Sequence, residues 1–114
     1  DSGRSEVWRA IVDCLQPRFF PKVTTVLDLG CGYGEFINLV RAEKKIAVDL
    51  IDIRTFLMMD VEFHQGTATD LSFVSDSSIN LVFASNLVEH MEWAGIDRML
   101  AEILRVLVKG GRWS

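Results

Sequence analysis

Apolar positions recur at three- and four-residue steps between Ser5 and Phe20, where Val7, Trp8, Ile11, Val12, Leu15 and Phe19 share one face. That spacing predicts a helix, closed by Pro21. The β-branched run VTTVLDL (Val23–Leu29) reads instead as a short buried strand that empties into a glycine-rich stretch. A second helix is predicted from Glu35 to about Ala42, with Phe36, Leu39 and Val40 inward. KIAVDL (Lys45–Leu50) is a second strand, and in IDIRTFLMM the residues Ile51, Phe56, Leu57 and Met58 form a short helical face. VEFHQ (Val61–Gln65) is a third strand and INLVFAS (Ile79–Ser85) a fourth, with Asp76, Ser77 and Ser78 as the turn before it. The clearest amphipathic face belongs to a helix from about Glu92 to Val108, built of Ile96, Met99, Leu100, Ile103, Leu104 and Leu107 and stopped by Gly110 and Gly111.

Strands alternating with helices predict right-handed crossovers and a parallel sheet. The fold class is therefore α/β, a doubly wound, mostly parallel sheet with helices on both faces. Ligands in such sheets sit beyond the carboxyl ends of the strands, where strand order reverses. The glycine-rich stretch lies at such an end.

The 114 residues make one domain, and 49% hydrophobic with 25% charged residues is a globular composition. A net charge of -4 argues against a broad phosphate-binding surface and hence against nucleic acid. Cys14 and Cys31 form neither a disulfide framework nor a zinc cluster, which suits a reducing, cytoplasmic setting. His64 and His90 lack metal-ligand spacing with carboxylates, so no metal site is expected. No apolar run reaches the roughly 18 to 20 residues that span a bilayer. The chain opens on Asp1 rather than methionine, which leaves room for a removed tag or leader.

VLDLGCGYGEF (Val26–Phe36) carries the candidate chemistry. Glycine is costly to order, so Gly30, Gly32 and Gly34 in five positions mark backbone that bends sharply or approaches a ligand. Dinucleotides and S-adenosylmethionine both use a glycine loop after a first strand. The spacing here is G-x-G-x-G, and the dinucleotide fingerprint would need glycine where Glu35 stands. A carboxylate there opposes a pyrophosphate but not a sulfonium nucleoside, which has no phosphate. Asp49, at the tip of the second strand, suits the ribose hydroxyls of either ligand.

Taken in order, VLDLGCGYGEF, IAVDL, GTATDLSF, INLVFASNLVEHM and LAEILRVLVKGGR resemble the successive motifs of class I S-adenosylmethionine-dependent methyltransferases over nearly the whole chain. The resemblance implies S-adenosyl-L-methionine as cofactor and S-adenosyl-L-homocysteine as product. It places Asp28 to Gly34 under the methionine portion and ribose, with Asp28, Gly30, Cys31 and Gly32 as contacts, and gives the ribose hydroxyls to Asp49. The loop after the third strand would flank adenine, and the stretch from Asn86 to His90 would face the transferred methyl group. Where relatives often carry the acid of a GDA triplet, this chain reads Gly66, Thr67, Ala68, so Thr69 and Asp70 become the adenine-side candidates. Each reading has a plainer rival: Asp28 as a partner of backbone amides, Asp49 as a solvated strand end, Cys31 and Tyr33 as lining residues, His64 as structural.

The expected function is methyl transfer to a small-molecule acceptor, without nucleic acid or membrane. His90, or Glu89, is the candidate group for removing an acceptor proton, against the plainer reading of His90 as a packing residue. Residues 1–114 would be a single cofactor-binding domain of four strands and the start of a fifth, incomplete at the C-terminus compared with the family. Two alternatives follow: a cofactor-binding fragment without turnover, and, less favoured by Glu35, a nicotinamide-dependent oxidoreductase domain. An unpaired fourth strand would invite self-association through the sheet edge.

Overall fold

The computed structural model describes residues 2–19, 24–84, 87 and 91–113. Helix α1 (Ser2–Phe19) precedes strand β1 (Thr25–Leu29), helix α2 (Glu35–Leu39), strand β2 (Lys44–Asp49), a 3-10 turn (Arg54–Phe56), strands β3 (Val61–Gln65) and β4 (Ile79–Ala84), helix α3 (Trp93–Val106) and strand β5 (Leu107–Trp113). The five strands form one sheet in the order β3-β2-β1-β4-β5. Every pairing is parallel, with Asp28 opposite Ala47 on one side and Phe83 on the other.

Strand alternation sorts the side chains into two cores. Leu27, Leu29, Ile46 and Val48 join Met99, Ile103 and Val106 of α3 on one face. Val26, Ala47 and Leu81 join Val12 of α1 and Phe36, Ile37 and Val40 from the α2 region on the other. Both faces are thus covered, as buried parallel strands require. Chain direction across the sheet reverses between β1 and β4, so the crevice of the fold opens at their carboxyl ends.

The described boundaries depart from the sequence pattern where side chains intercept backbone hydrogen bonds. Helix α2 ends at Leu39 rather than Ala42. The carboxamide of Gln16 on α1, itself buried, donates to Arg41 O at 2.7 Å and accepts from Arg41 N at 2.9 Å, replacing the next helical bonds. The expected helix of IDIRTFLMM shrinks to the 3-10 turn, and Ile51, Phe56 and Met58 are exposed. There Asp52 takes Arg54 N at 3.2 Å, while Asn38 takes Met58 N and gives to Phe56 O. Such local side-chain bonds compete with helix formation.

Other differences concern faces and ends. On α1 Val12 is buried, whereas Val7 and Ile11 are exposed; the side chains of Trp8, Leu15 and Phe19, and Pro21 itself, lie outside the described set. On α3 Leu104 is exposed, and the helix passes straight into β5 at Leu107, so Gly110 and Gly111 lie within a strand. Strand β5 pairs with β4 through Ile79–Leu107, Leu81–Arg112 and Val82–Trp113, so Arg112 and Trp113 pair and β4 is an interior strand, not the bare edge it would be without that pairing. Ser85 lies outside the described residues.

The long connection between β3 and β4 is fastened to α3 by one guanidinium. Arg105 donates to the carbonyls of Leu71 and Val74 at 2.8 Å each, to Asp76 at 2.7 Å and to both carboxylate oxygens of Glu102 at 2.9 and 3.1 Å. Glu102 in turn accepts the Leu71 amide at 2.7 Å, and the Arg105 bonds hold its carboxyl below the usual range. Arg105→Met keeps the stem but leaves two partly enclosed carbonyls without their donor, a loss of roughly 1–3 kcal/mol. The expected outcome is a melting temperature lower by about 4 °C or more in a thermal unfolding scan. A melting curve matching the parent would show that these bonds contribute nothing.

Candidate functional site

The crest of the sheet is built by the turn from β1 into α2. Gly30, Gly32 and Gly34 have φ of 69°, 58° and 81°, a left-handed conformation that costs other residues roughly 1–2 kcal/mol. Alternating left-handed residues turn successive amides toward neighbouring acceptors. Gly30 N and Cys31 N both donate to Val48 O, at 2.8 and 3.2 Å, and Gly34 N donates to Cys31 O at 3.0 Å. The loop is thereby tied to the end of β2.

Asp49 completes the tie. Its Oδ2 accepts from Gly32 N and its Oδ1 from Ile51 N, each at 3.0 Å. The three glycines differ in their surroundings. A Cβ on Gly34 would lie 2.6 Å from Leu57, and one on Gly30 would lie 3.2 Å from Leu87, whereas a Cβ on Gly32 would meet nothing nearer than Glu35 Oε2 at 4.0 Å. Gly32 is thus the open point of the crest, where bare backbone can be approached.

Charge sets the character of this crest. Asp28 is 2% exposed, and burial first, then Asp49, then Glu35 push its carboxyl up to about 8. Three carboxyl groups therefore act on one another around the glycine loop. Burial, followed by Asp28 and Asp49, pushes the Cys31 thiol up to about 12, so it stays protonated at neutral pH and is no nucleophile.

The structure thus brings Asp28, Gly30, Cys31, Gly32 and Asp49 together. Thr69 and Asp70 occupy a separate turn in which Thr67 Oγ1 accepts Thr69 N at 3.2 Å and Asp70 accepts Ser72 N at 3.1 Å. They line an open depression of about 560 Å³ with Ser72, Arg98, Glu102 and Arg105 on the α3 side. The Asp70 carboxyl is held below its usual range by the Ser72 bonds, with a smaller effect of Arg105. Asn86, Glu89 and His90 lie outside the described residues. His64 stacks on Phe73 with ring centroids 3.8 Å apart and bonds Glu62 at 2.6 Å, far from any role as a lone ligand.

Sequence reasoning missed Leu87, which covers Gly30, and Asn38 with Leu57, which flank Gly34. The signal for Asn38 was available as a polar residue one helical turn beyond Gly34. Among the described residues no group of three or more His, Cys, Asp or Glu could hold a metal ion, and no helix is long and apolar enough to cross a membrane.

A parallel 3-2-1-4-5 sheet with a glycine loop after its first strand and an acid closing its second is the core of a class I Rossmann-like methyltransferase. Residues 26–111 match the family described as methyltransferase domain, and the chain belongs to that family. Its fold is similar to the PH0226 protein from Pyrococcus horikoshii OT3, with 28% identity, a TM-score of 0.77 and 93% of this chain matched to 56% of that one. It is similar also to an S-adenosylmethionine-dependent methyltransferase from Thermotoga maritima (25% identity, TM-score 0.67, 96% of this chain, 49% of that one). A third likeness, of fold alone, is to such a methyltransferase from Archaeoglobus fulgidus (24%, 0.72, 91% and 48%). The chain spans about half the length of each of these proteins. No curated protein matches it.

The residues at the crest fit the family's cofactor, S-adenosylmethionine. An open glycine with the Asp49 carboxylate on its amide and Glu35 beside it suits a ligand that carries a sulfonium and an ammonium and lacks phosphate.

The raised Asp28 carboxyl has a stability consequence of definite sign. Between its ordinary 3.8 and about 8 the folded state holds a proton that the unfolded chain has lost, so stability attributable to this group is full below pH 4 and declines as pH rises toward 8. Asp28→Asn removes the titration and keeps the shape. Urea denaturation across pH 4 to 9 is expected to show a flatter profile for the variant, with its relative gain greatest above pH 8. Parallel profiles for the two proteins would contradict the burial assigned to Asp28.

Proposed function

We propose that residues 1–114 form a single domain that binds S-adenosyl-L-methionine over the Gly30–Gly34 loop and supports methyl transfer to a small-molecule acceptor, leaving S-adenosyl-L-homocysteine. One observation carries this reading: the open Gly32 has the Asp49 carboxylate on its amide and Glu35 beside it, a field that favours a cation and disfavours the pyrophosphate of a nicotinamide dinucleotide. When bound, the cofactor supplies a methyl group already activated by positive sulphur.

The protein's part is to hold and to orient. Each Asp49 oxygen accepts one backbone amide and keeps capacity for a further bond, which suits it to the two ribose hydroxyls. Gly30, Cys31 and Gly32 form the floor beneath the methionine portion. Asp28 faces the ammonium end as a carboxyl whose proton leaves when a cation is near. In this reading Thr69 and Asp70 lie on the adenine side, Asn86 lies at the methyl end, and His90 or Glu89 takes a proton from the acceptor. The net charge of -4 supports a small acceptor over nucleic acid. A second reading, cofactor binding without turnover by this chain alone, is favoured by its spanning about half of its structural relatives.

Isothermal titration with S-adenosylmethionine tests the site. Saturable binding is expected, and silence at millimolar cofactor would refute the proposal. Asp49→Asn is expected to weaken binding by roughly 10- to 100-fold, as lost charge-assisted hydrogen bonds do. Equal affinity would remove Asp49 from the site. Incubation with labelled cofactor and a panel of acceptors then separates turnover from binding alone.

Proton linkage supplies an independent check. Asp28 is expected to release its proton on binding, so affinity should strengthen as pH rises toward 8 and level off above it. The measured enthalpy at pH 7 should therefore vary with the ionisation heat of the buffer, and in Asp28→Asn it should not. A buffer-independent enthalpy in the parent would show that Asp28 does not sense the ligand.

A further inference from the structure

The 3-10 excursion after β2 is irregular, yet it lies against the glycine loop through two side chains. A Cβ on Gly34 would come 2.6 Å from Leu57 Cδ2, so this leucine already occupies the space beside the glycine. The ring of Phe56 meets Tyr33 edge-on at a centroid distance of 5.0 Å and an angle of 71°. The excursion makes few backbone bonds of its own, with Phe56 N to Ile53 O, Leu57 N to Arg54 O and Val61 N to Met58 O as its turns.

One carboxamide fixes it in place. Asn38 Nδ2 donates to Phe56 O at 2.8 Å, and Asn38 Oδ1 accepts from Met58 N at 2.9 Å. The side chain thus grips the excursion on both sides of Leu57. Its own main chain is anchored to the glycine loop, since Asn38 N donates to Gly34 O at 2.9 Å. Lys45 Nζ, on buried β2, reaches Asn38 O at 3.4 Å and Asp60 at 3.5 Å, which steadies the same corner from beneath.

We propose that Asn38 is a positioning residue for the cofactor loop: by clasping the backbone of Phe56 and Met58 it presses Leu57 against Gly34 and so keeps Gly34, at the loop's exit into α2, in its left-handed, ligand-ready conformation. Asn38 touches the ligand in no part of this role, and the inference rests on the proposed function only for its effect on affinity. Alanine at position 38 frees two backbone groups to water, and the excursion then relaxes away from the loop. Gly34 loses its outer wall while the bonds of the loop to Val48 and Asp49 remain.

The test uses Asn38→Ala, Leu57→Ala and the double variant, each compared with the parent. Hydrogen exchange of the Gly34 amide is expected to quicken roughly tenfold or more in both single variants, while the Gly32 amide, held by Asp49, and the amides of Leu27 and Leu29 in β1 keep their rates. Affinity for S-adenosylmethionine is expected to fall roughly tenfold in each, and the double variant should bind no worse than the weaker single one, because the two residues act through one wall. A merely structural asparagine would quicken exchange across β1 as well, and that result overturns the proposal. Unchanged exchange at Gly34, or additive losses of affinity, also overturns it. Should the parent bind no S-adenosylmethionine, the proposed function falls, while the exchange rates still decide whether Asn38 holds the loop.

Discussion

The bond from the Gly32 amide to the Asp49 carboxylate joins the two halves on which the crest depends. Without it the glycine loop is a run of three residues with little conformational preference, tied at one end by Val48 O and at the other by the first turn of α2. With it, the middle of the loop is fixed to the tip of the neighbouring strand, 17 residues further along the chain. The parallel register makes this possible, because Leu29 lies opposite Val48 and the chain beyond β1 therefore emerges beside the residue that follows Val48. The sheet supplies position, the glycines supply conformation, and a single acid converts both into a defined surface.

The same constraint explains how the surroundings are arranged. Left-handed backbone persists only where neighbours over-determine it. Leu87 closes over Gly30 and Leu57 over Gly34, so the flanking glycines are enclosed and the central one is left open. Below the loop, the core cluster that includes Val26, Cys31, Phe36 and Ile37 fills the space against α1 and α2, and the stacked rings of Phe36 and Phe83, 3.9 Å apart, extend it across to β4. Among the described residues the crest is a floor of main chain, enclosed at Gly30 and Gly34 and open at Gly32.

Much of this was legible in the residues alone. The glycine spacing, the placement of Glu35 and the acid at the end of KIAVDL pointed to the crest because they are local signals, each tied to a strand end. The α3 stripe was legible for the same reason, with Met99 and Ile103 fully buried as its period requires. What escaped was set by partners distant in sequence. Gln16 ends α2 from 25 residues away, and Asn38 replaces a predicted helix with a turn by binding backbone 18 and 20 residues later. Burial on α1 likewise follows contact with α2 rather than the apolar period, so a glutamine is inside and Val7 outside. Periodicity reports what an isolated element prefers, and these elements answer to side chains that no window of the sequence contains.

The electrostatics of the crest run against stability, and that is their significance. A carboxyl at 2% exposure with two acids nearby is a poor choice for a fold whose only task is to fold, since an apolar residue of similar size would remove both the desolvation cost and the repulsion. Asp28 is the penultimate residue of β1, flanked by Leu27 and Leu29, where every other position is apolar from Val26 onward. A local rule broken where the strand runs into the glycine loop is the pattern expected of a functional site. The sign of the breach narrows the ligand further: accumulated negative charge, partly neutralised by a proton that is easily lost near neutral pH, is relieved by a cation and worsened by a phosphate. The fold by itself accommodates either kind of nucleotide, and the acids laid about the same glycine floor favour the one without phosphate.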